Sequence, residues 1–514
     1  MSKVGDIILY TFIGYMAVVL IISFVAWARN RSLKDYILAG RGLGSFVTAL
    51  SAEASDMSAW LLLALPGAAY AFGLGEMWMA IGLAVGTYIN WLIVARRLRE
   101  QTEHYGDALT LPDYFAGRFG DKRHILRGIT ALFILVFFVF YASSGFVAGA
   151  RLFHSLFGVP YFWALVIGAA VVMSYTFIGG FLAVAWNDVL QGSIMFFALL
   201  VVGLIGLAWL GWFHGLANTL NAVNGGLLRP FYDVQHGRSF EWIGIVSLLA
   251  WGLGYFGQPH ILARFMAIRD PKGIPAARRF AMFWVIIALF AAMIVGLTGL
   301  GVLSHHLAGD NREKVFILMS LKLLPSILAG IALSGILAAI MSTASAQLLV
   351  AASAFAEDIY HAFFRKRAGR RELLWVARFA LLAIGALGFV AGLNPSSLIL
   401  ALVAYAWAGF GAAFGPVIVL SLYWRRMNWA GALAGVIVGG VTVIVWHNWL
   451  TPLGGIFALY EIVPGVVFSA VAIVFFSLIT RPPRAAKAPQ SKARSRKAPP
   501  RRATPRQKKG AAGA

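Results

Sequence analysis

The segment Leu50-Ser51-Ala52-Glu53-Ala54-Ser55-Asp56-Met57-Ser58-Ala59-Trp60 lies in the middle of an apolar run, 45–74, and decides the fold class. It holds two carboxylates and three hydroxyls, which are costly inside a bilayer unless they face a cavity or a partner. These residues predict a helix that unwinds and restarts, with Asp56 or Ser55 able to cap its second half. Either Asp56 is only that cap, or it balances the charge of a small cation held by freed carbonyls and hydroxyls.

The composition around this segment is that of a polytopic membrane protein. Of the 514 residues, 60% are hydrophobic, 12% are charged and none is cysteine. This apolar content excludes a soluble enzyme, a disulfide-linked secreted protein and a disordered protein. Apolar runs of about 20 residues indicate helices, because barrel strands are half as long. The sequence therefore predicts an all-α protein with about thirteen spans, at 6–28, 45–74, 76–95, 126–150, 160–184, 187–212, 241–266, 280–304, 315–362, 375–393, 397–423, 429–449 and 461–480.

The distribution of charge predicts the topology. Basic residues concentrate in alternate loops, within 29–41, 96–123, 264–279, 365–371 and 425–426. By the positive-inside rule, the N-terminus is outside and the C-terminus is cytoplasmic. The net charge of +23 includes twelve Lys and Arg in the acid-free stretch 481–514. We expect a disordered cytoplasmic tail attracted to anionic lipids, and no nucleic-acid partner because no binding motif accompanies the charge.

A second interruption is expected in span seven, at Trp251-Gly252-Leu253-Gly254-Tyr255-Phe256-Gly257-Gln258-Pro259-His260. Three glycines and a proline there disfavour a continuous helix. Trp251 and Tyr255 share a face if the backbone is locally helical, either as packing residues or as the wall of a ligand site. We expect His260 to be a hydrogen-bonded histidine at the cytoplasmic interface.

A third polar stretch is Ala338-Ala339-Ile340-Met341-Ser342-Thr343-Ala344-Ser345-Ala346-Gln347. Its small residues and hydroxyls either pack helices closely or, together with the first stretch, supply oxygen ligands for a monovalent cation. The two breaks lie five spans apart, as expected for an inverted-repeat transporter. Nucleotide-binding, zinc-protease and serine-hydrolase motifs are absent, so we expect no enzyme.

Several runs of residues resemble the sodium/solute symporter family, in the order in which that family has them. These runs are 45–52, 54–58, 108–115, 251–265, 341–343 and 404–416. The resemblance implies a core of two inverted five-helix repeats, formed by spans two to eleven, and import of L-proline driven by sodium. We accordingly divide the chain into a first span with its loop (1–44), a transport core (45–424), two C-terminal spans (425–480) and the basic tail (481–514).

The resemblance also implies roles for individual residues. The co-transported sodium ion is expected at the backbone oxygens of Ala54, Met57 and Ala339 and at the hydroxyls of Ser342 and Thr343. The residues expected to act in coupling are Asp56, Asp188 and Arg41. The residues expected to bind substrate are Phe46, Ser58, Tyr141, Trp251, Tyr255 and Pro259. Proline suits such a site, because aromatic rings can sandwich its apolar ring while helix N-termini face its carboxylate.

Two residues depart from the pattern of the family, which has glycine where this chain has Glu53 and Ala59. Ala59 adds only a methyl group. Glu53 places a second carboxylate beside the expected cation site. Either Glu53 allows protons to contribute to coupling, or it faces outward or pairs with another group.

Two alternative functions stay open at this stage. One is import of another small solute, such as a different amino acid or a monocarboxylate. The other is a transporter-like sensory module, which the lack of a kinase or receiver sequence after residue 480 disfavours. A channel is disfavoured because broken helices suit alternating access. The expected location is the bacterial cytoplasmic (inner) membrane, with the lipid bilayer as a partner.

Overall fold

The structure is a computed structural model that describes residues 3–28, 33–394 and 399–481. The expected tail beyond residue 481 lies outside the described residues, as do Arg29 and Arg31 of the first basic loop.

Helices dominate the described chain. They are α1 (Lys3–Trp27), α2 (Leu33–Leu38), α3 (Ser45–Ala59), α4 (Leu65–Phe72), α5 (Met77–Ile89), α6 (Ala95–His104), α7 (Leu111–Phe119), α8 (Ile125–Phe157), α9 (Tyr161–Trp209), α10 (Trp212–Asn224), α11 (Trp242–Leu249), α12 (Pro259–Ala267), α13 (Ile274–Val302), α14 (Val315–Leu323), α15 (Ser326–Ser353), α16 (Arg370–Ala391), α17 (Ile399–Tyr423), α18 (Trp429–Val445) and α19 (Ile462–Ile479). A two-residue hairpin, β1 (Tyr232–Asp233) with β2 (Arg238–Ser239), is antiparallel.

The membrane-protein prediction is confirmed. Within the described residues, ten helical stretches are long and apolar enough to cross a membrane. Two of them, Ser45–His104 and Tyr161–Trp209, have 60 and 49 residues, so each is long enough for two spans. The interrupted segment from Trp242 to Ala267 supplies a further crossing. These lengths are consistent with about thirteen spans.

The spans divide into inner and outer helices by burial. In the stretch Ser326–Phe364, which begins with α15, 83% of the most apolar window is buried, against 28% in α1. The helix α15 packs on α9, α3 and α8, so it lies at the centre of the fold. The first and last spans lie at the periphery, where lipid covers their apolar side chains.

Span two is interrupted where the sequence predicts. Its backbone leaves helical geometry at Ser58, with φ of 48° and ψ of −170°. The hydroxyl of Ser58 accepts a hydrogen bond from the Trp60 N–H at 3.1 Å, so Ser58 is the cap rather than Asp56 or Ser55. Another interruption, at Gly180 within α9, was not predicted, although Gly179 and Gly180 form a glycine pair in this apolar run.

Span seven is also broken, as predicted. A 3₁₀ segment, Ala250–Gly257, replaces the α-helix, and α12 begins at Pro259 after an extended residue, Gln258. One prediction for this region is wrong, because Arg264 is not a loop cation. It lies in α12 with a fully buried side chain, since an internal carboxylate pairs with its guanidinium.

The broken span seven is held by a close backbone approach to α5. An ideal Cβ on Gly86 would lie 2.3 Å from the carbonyl oxygen of Gly252, so only glycine fits at this crossing. Small residues that allow such contacts are the usual means of packing helices in a bilayer.

Replacing Gly86 with alanine is expected to lower the stability of the protein. The added methyl overlaps backbone, and overpacking of this kind costs about 1–3 kcal/mol. Thermal unfolding of the purified protein in detergent measures the effect. Gly14→Ala is the matched control, because no atom lies within 4 Å of its ideal Cβ. Equal unfolding temperatures for the two variants would contradict the packing described here.

Candidate functional site

The break at Ser58 places backbone oxygens of α3 beside the hydroxyls of α15. The Ser342 hydroxyl lies 2.7 Å from the Ala54 carbonyl oxygen and 3.2 Å from that of Ala339. The next residue, Thr343, is buried, and its Oγ1 has no hydrogen-bond partner among the described residues. Met57, one residue before the break, is also buried. These are the oxygen donors that the sequence resemblance assigns to sodium, and three of them are in direct contact.

Asp56 connects this oxygen cluster to an aromatic cavity. Its carboxylate accepts a hydrogen bond of 2.7 Å from the hydroxyl of Tyr255, which lies in the 3₁₀ segment of span seven. Asp56 is 5% exposed and also lines the cavity. Asp56 therefore links the two through the backbone of α3, since Ala54 and Met57 are its near neighbours in the chain.

The cavity has a volume of about 240 Å³. It is lined by Asp56, Met57, Ser58, Trp60, Leu83, Tyr141, Trp251, Tyr255, Val403 and Trp407. Its walls are mainly aromatic, with the polar groups on the side of Asp56 and Ser58.

Contacts among aromatic residues fix the shape of this cavity. The rings of Trp60 and Trp251 are 5.7 Å apart, and those of Tyr255 and Trp407 meet edge to face at 5.1 Å. The Trp407 indole donates to the Trp251 carbonyl oxygen at 2.7 Å. An ideal Cβ on Gly254 would lie 1.9 Å from the same indole nitrogen, so glycine is needed for this contact.

Four of the six residues expected to bind substrate line this cavity: Ser58, Tyr141, Trp251 and Tyr255. The other two lie elsewhere. The side chain of Phe46 is 48% exposed and packs against Phe280, with ring centroids 5.4 Å apart. Pro259 lines a different small cavity, together with Thr110 and Ala263.

Asp188 lies in a fully buried polar cluster behind the break. Its Oδ2 accepts from the Ser51 hydroxyl at 2.6 Å and from the Arg264 guanidinium at 3.1 Å. Arg264 also donates to Ser51 and to the His260 carbonyl oxygen, and it stacks on Phe181 at 5.0 Å. These bonds join α3, α9 and α12. Because a buried charge without its partner is costly, they restrain the three helices together.

Arg41 lies in a separate network at the end of the molecule where α6 ends. It donates to Asp107, to the hydroxyl of Thr102 and to the carbonyl oxygens of Met266 and Ala108. Lys34 also pairs with Asp107. Partial burial opposes ionisation of Asp107, but its bonds to Lys34 and Arg41 outweigh it and lower the pKa of that carboxyl. No residue of this network lines the cavity.

Glu53 is buried and does not face outward. Its Oε1 accepts from the Trp91 indole at 3.0 Å, while Oε2 has no partner among the described residues. Proton coupling through Glu53 stays a prediction. Uptake in sodium-free buffer with an imposed proton gradient tests it, and no uptake under those conditions would reject it.

The prediction for His260 is wrong. Its ring is fully buried rather than interfacial, and neither ring nitrogen has a hydrogen-bond partner among the described residues. It packs edge to face against Phe138 and Tyr141 instead, with centroids 5.7 and 5.9 Å away. The break in span seven draws this residue inward.

Four residues that line the cavity were given no role from the sequence: Trp60, Leu83, Val403 and Trp407. Trp60 follows the polar segment of span two directly, and Trp407 lies in the run 404–416, so both offered a signal. Leu83 and Val403 offered none, because one apolar residue in an apolar span is like any other.

Comparisons with known proteins agree on one family. The profile of the "Sodium:solute symporter family" matches residues 36–439. The sodium/proline symporter of Escherichia coli K12 is 50% identical over 483 residues, covering 93% of this chain and 94% of the relative. The osmoregulated proline transporter OpuE of Bacillus subtilis is 47% identical, covering 92% and 94% of the two chains.

A solved structure shares the fold. The substrate-bound, outward-open Na⁺-coupled sialic acid symporter superposes with a TM-score of 0.77 at 18% identity, covering 93% of this chain and 99% of that one. At this identity the likeness concerns the fold alone.

Removing the buried cation of the Asp188 cluster is expected to destabilise the protein strongly. In Arg264→Met the Asp188 carboxylate keeps its hydrogen bond from Ser51 but loses its charge partner. This lowers the free energy of unfolding by about 3–5 kcal/mol. Arg238→Met is the matched control, because its 2.8 Å pair with Glu241 is exposed and such pairs contribute about 0–1 kcal/mol. Thermal unfolding in detergent compares the variants. A loss for Arg264→Met no larger than that for the control would contradict the assigned pairing.

Proposed function

The chain belongs to the sodium:solute symporter family, and we propose that it imports L-proline together with sodium across the bacterial cytoplasmic membrane. The observation that carries this proposal is the hydrogen bond between Asp56 and Tyr255, because it ties into the aromatic cavity a carboxylate that lies between Ala54 and Met57 of the oxygen-rich cluster in the chain. In this proposal the chain acts only as a transporter and catalyses no covalent reaction.

Sodium binds at the cluster between α3 and α15. The backbone oxygens of Ala54, Met57 and Ala339 and the hydroxyls of Ser342 and Thr343 are its ligands. Oxygen donors suit a hard cation, and neutral ones suffice for a single charge. Two features support the assignment: the 2.7 Å contact between Ser342 and Ala54, and the unpartnered Oγ1 of Thr343 in the described chain. The carboxylate of Asp56 balances the charge of the ion.

Proline binds in the aromatic cavity. Its ring is apolar and flat enough to lie between aromatic side chains, such as Trp251 and Tyr255, while its charged groups need polar partners. The second half of span two begins just after Ser58, and a helix N-terminus favours a carboxylate. The carboxylate of Asp56 is close enough to the cavity to favour binding of the secondary ammonium group of proline.

Coupling follows from the shared elements of the two sites. An ion between α3 and α15 stabilises the geometry of the break, and through Asp56 and Tyr255 it stabilises the cavity as well. By linkage, each ligand must then strengthen the binding of the other by the same factor. One sodium ion moving inward at 100 mV supplies about 2.3 kcal/mol before any concentration gradient is counted.

The remaining assignments concern the rest of the chain. Arg41 and Asp188 act in coupling by restraining the helices around the sites. Residues 45–424 form the transport core, and the spans within 425–480 flank it. The N-terminus lies outside and the C-terminus in the cytoplasm, where the basic tail contacts anionic lipids.

The central test is uptake of radiolabelled proline into proteoliposomes. Asp56→Asn is expected to abolish the sodium-stimulated part, because the charge beside the ion is lost. Ser342→Ala should raise the sodium concentration for half-maximal uptake about tenfold or more, because a polar contact with a charge is worth roughly 1.5–3 kcal/mol. Ser334→Ala is the matched control: this buried hydroxyl of α15 bonds only within its own helix, to the Gly330 carbonyl oxygen.

Full sodium-stimulated uptake by Asp56→Asn would overturn the cation site. Unlabelled solutes added to the same assay decide the cargo: proline should compete best, and stronger competition by another amino acid or a monocarboxylate would replace it as the substrate.

A further inference from the structure

A short segment from outside the transport core contacts a wall residue of the proposed substrate cavity. The loop between the last two spans contains two 3₁₀ turns, Thr451–Leu453 and Gly455–Ala458, and it ends at Tyr460. The ring of Tyr460 stacks on that of Trp251, with centroids 5.6 Å apart and planes at 28°. Since Trp60 contacts Trp251 at 5.7 Å, the Trp251 ring has aromatic neighbours both from the core and from this loop.

Tyr460 forms hydrogen bonds to two helices of the core, α17 and α11 of the broken span seven. Its hydroxyl donates to the Ala404 carbonyl oxygen in α17 at 2.7 Å. Its backbone N–H donates to the Ser247 hydroxyl in α11 at 3.0 Å. Ala404 is adjacent to Val403, which lines the cavity, and Ser247 lies one turn before Trp251. Both anchors are thus next to wall residues of the cavity.

A second cavity of about 1070 Å³, counting the open space at its mouth, adjoins this segment. Its lining includes Ser247, Gly455 and Ala458, together with acidic residues such as Glu76 and Asp233. Tyr460 therefore lies between the two cavities, since it bonds to the lining of one and stacks on the lining of the other.

The segment has the features of a part that moves as a unit. Gly454 and Gly455 both have positive φ, 69° and 59°, and no atom lies within 4 Å of an ideal Cβ on either. At the other end, the Trp446 indole holds the carbonyl oxygens of Phe457 and Leu459 at 3.1 and 3.0 Å. Glycines can absorb a backbone rotation, so Gly454 and Gly455 provide a hinge for the segment that ends at Tyr460.

We propose that Tyr460 is the extracellular cover of the substrate cavity, and that its release from Trp251 and Ala404 opens the site to the outside. Tyr460 is then a positioning residue: it holds the Trp251 ring in place when the site is closed. The proposal rests on the proposed function for the identity of the solute and for which side of the membrane is outside, but not for the contacts of Tyr460.

The lack of cysteine in the chain allows a direct test. Val403→Cys places a thiol of similar size in the cavity wall. Its rate of modification by a membrane-impermeant methanethiosulfonate reagent, added outside without proline, reports access to the cavity. Adding Tyr460→Ala should raise this rate on the order of tenfold or more, because the stacked ring is removed. Adding Tyr460→Phe should raise it about fivefold, because only the bond to Ala404 is lost.

Tyr161→Phe is the matched control. The Tyr161 hydroxyl also donates to a backbone carbonyl, that of Gly392, at 2.7 Å, but it does not line the cavity. Its modification rate should equal that of the parent. If Tyr460→Ala does not reach the membrane, the modification rates of Tyr460→Phe and Tyr161→Phe are compared instead, and a higher rate for Tyr460→Phe supports the proposal.

A modification rate for Tyr460→Phe equal to that of Tyr161→Phe would contradict the proposal that Tyr460 covers the cavity. Because no proline is present, this failure differs from a failure of the proposed transport, which appears as absent proline uptake by the unmodified chain.

Discussion

Backbone groups inside the hydrocarbon layer have no water to bond with, so the chain itself must satisfy every group that a broken helix releases. The break at Ser58 meets this constraint locally. The Ser58 hydroxyl oxygen accepts a hydrogen bond from the Trp60 N–H. The Ala54 carbonyl oxygen accepts one from the hydroxyl of Ser342 on a neighbouring helix. A cation bound to the Ala54 carbonyl oxygen would take the place of the hydrogen bond from the Ser342 hydroxyl. That oxygen already has a partner with partial positive charge, so the position suits a cation. The transport chemistry proposed here depends on this requirement.

The same constraint explains the buried charges around the break. Arg264 and Asp188 are both fully buried, and each is the charge partner of the other while both bond to Ser51 of α3. A buried pair of this kind contributes little net stability compared with apolar packing, but breaking it is costly. Its value lies in the arrangement that it specifies, because α3, α9 and α12 cannot separate without exposing a charge to the apolar interior.

The sequence predicted the parts of this protein that depend on a long or unusual pattern. Apolar runs predicted the spans, polar residues within 50–60 predicted the first break, and three glycines and a proline within 251–260 predicted the second. The cap at Ser58 and the inward positions of Arg264 and His260 were not predicted, because they depend on how the broken segments pack. A sequence does not distinguish a basic residue in a loop from one drawn inward to an acid far along the chain. Leu83 and Val403 were not predicted as cavity residues for a related reason, since only the fold shows which apolar residues line a cavity.

The central claim is that the cation cluster and the aromatic cavity form one linked unit through Asp56 and Tyr255. Equilibrium binding to the purified protein tests it most directly, with proline titrated at several sodium concentrations and sodium titrated at several proline concentrations. The account predicts that sodium tightens proline binding and that proline tightens sodium binding by the same factor. Proline binding that is unchanged between sodium and potassium buffers would contradict it.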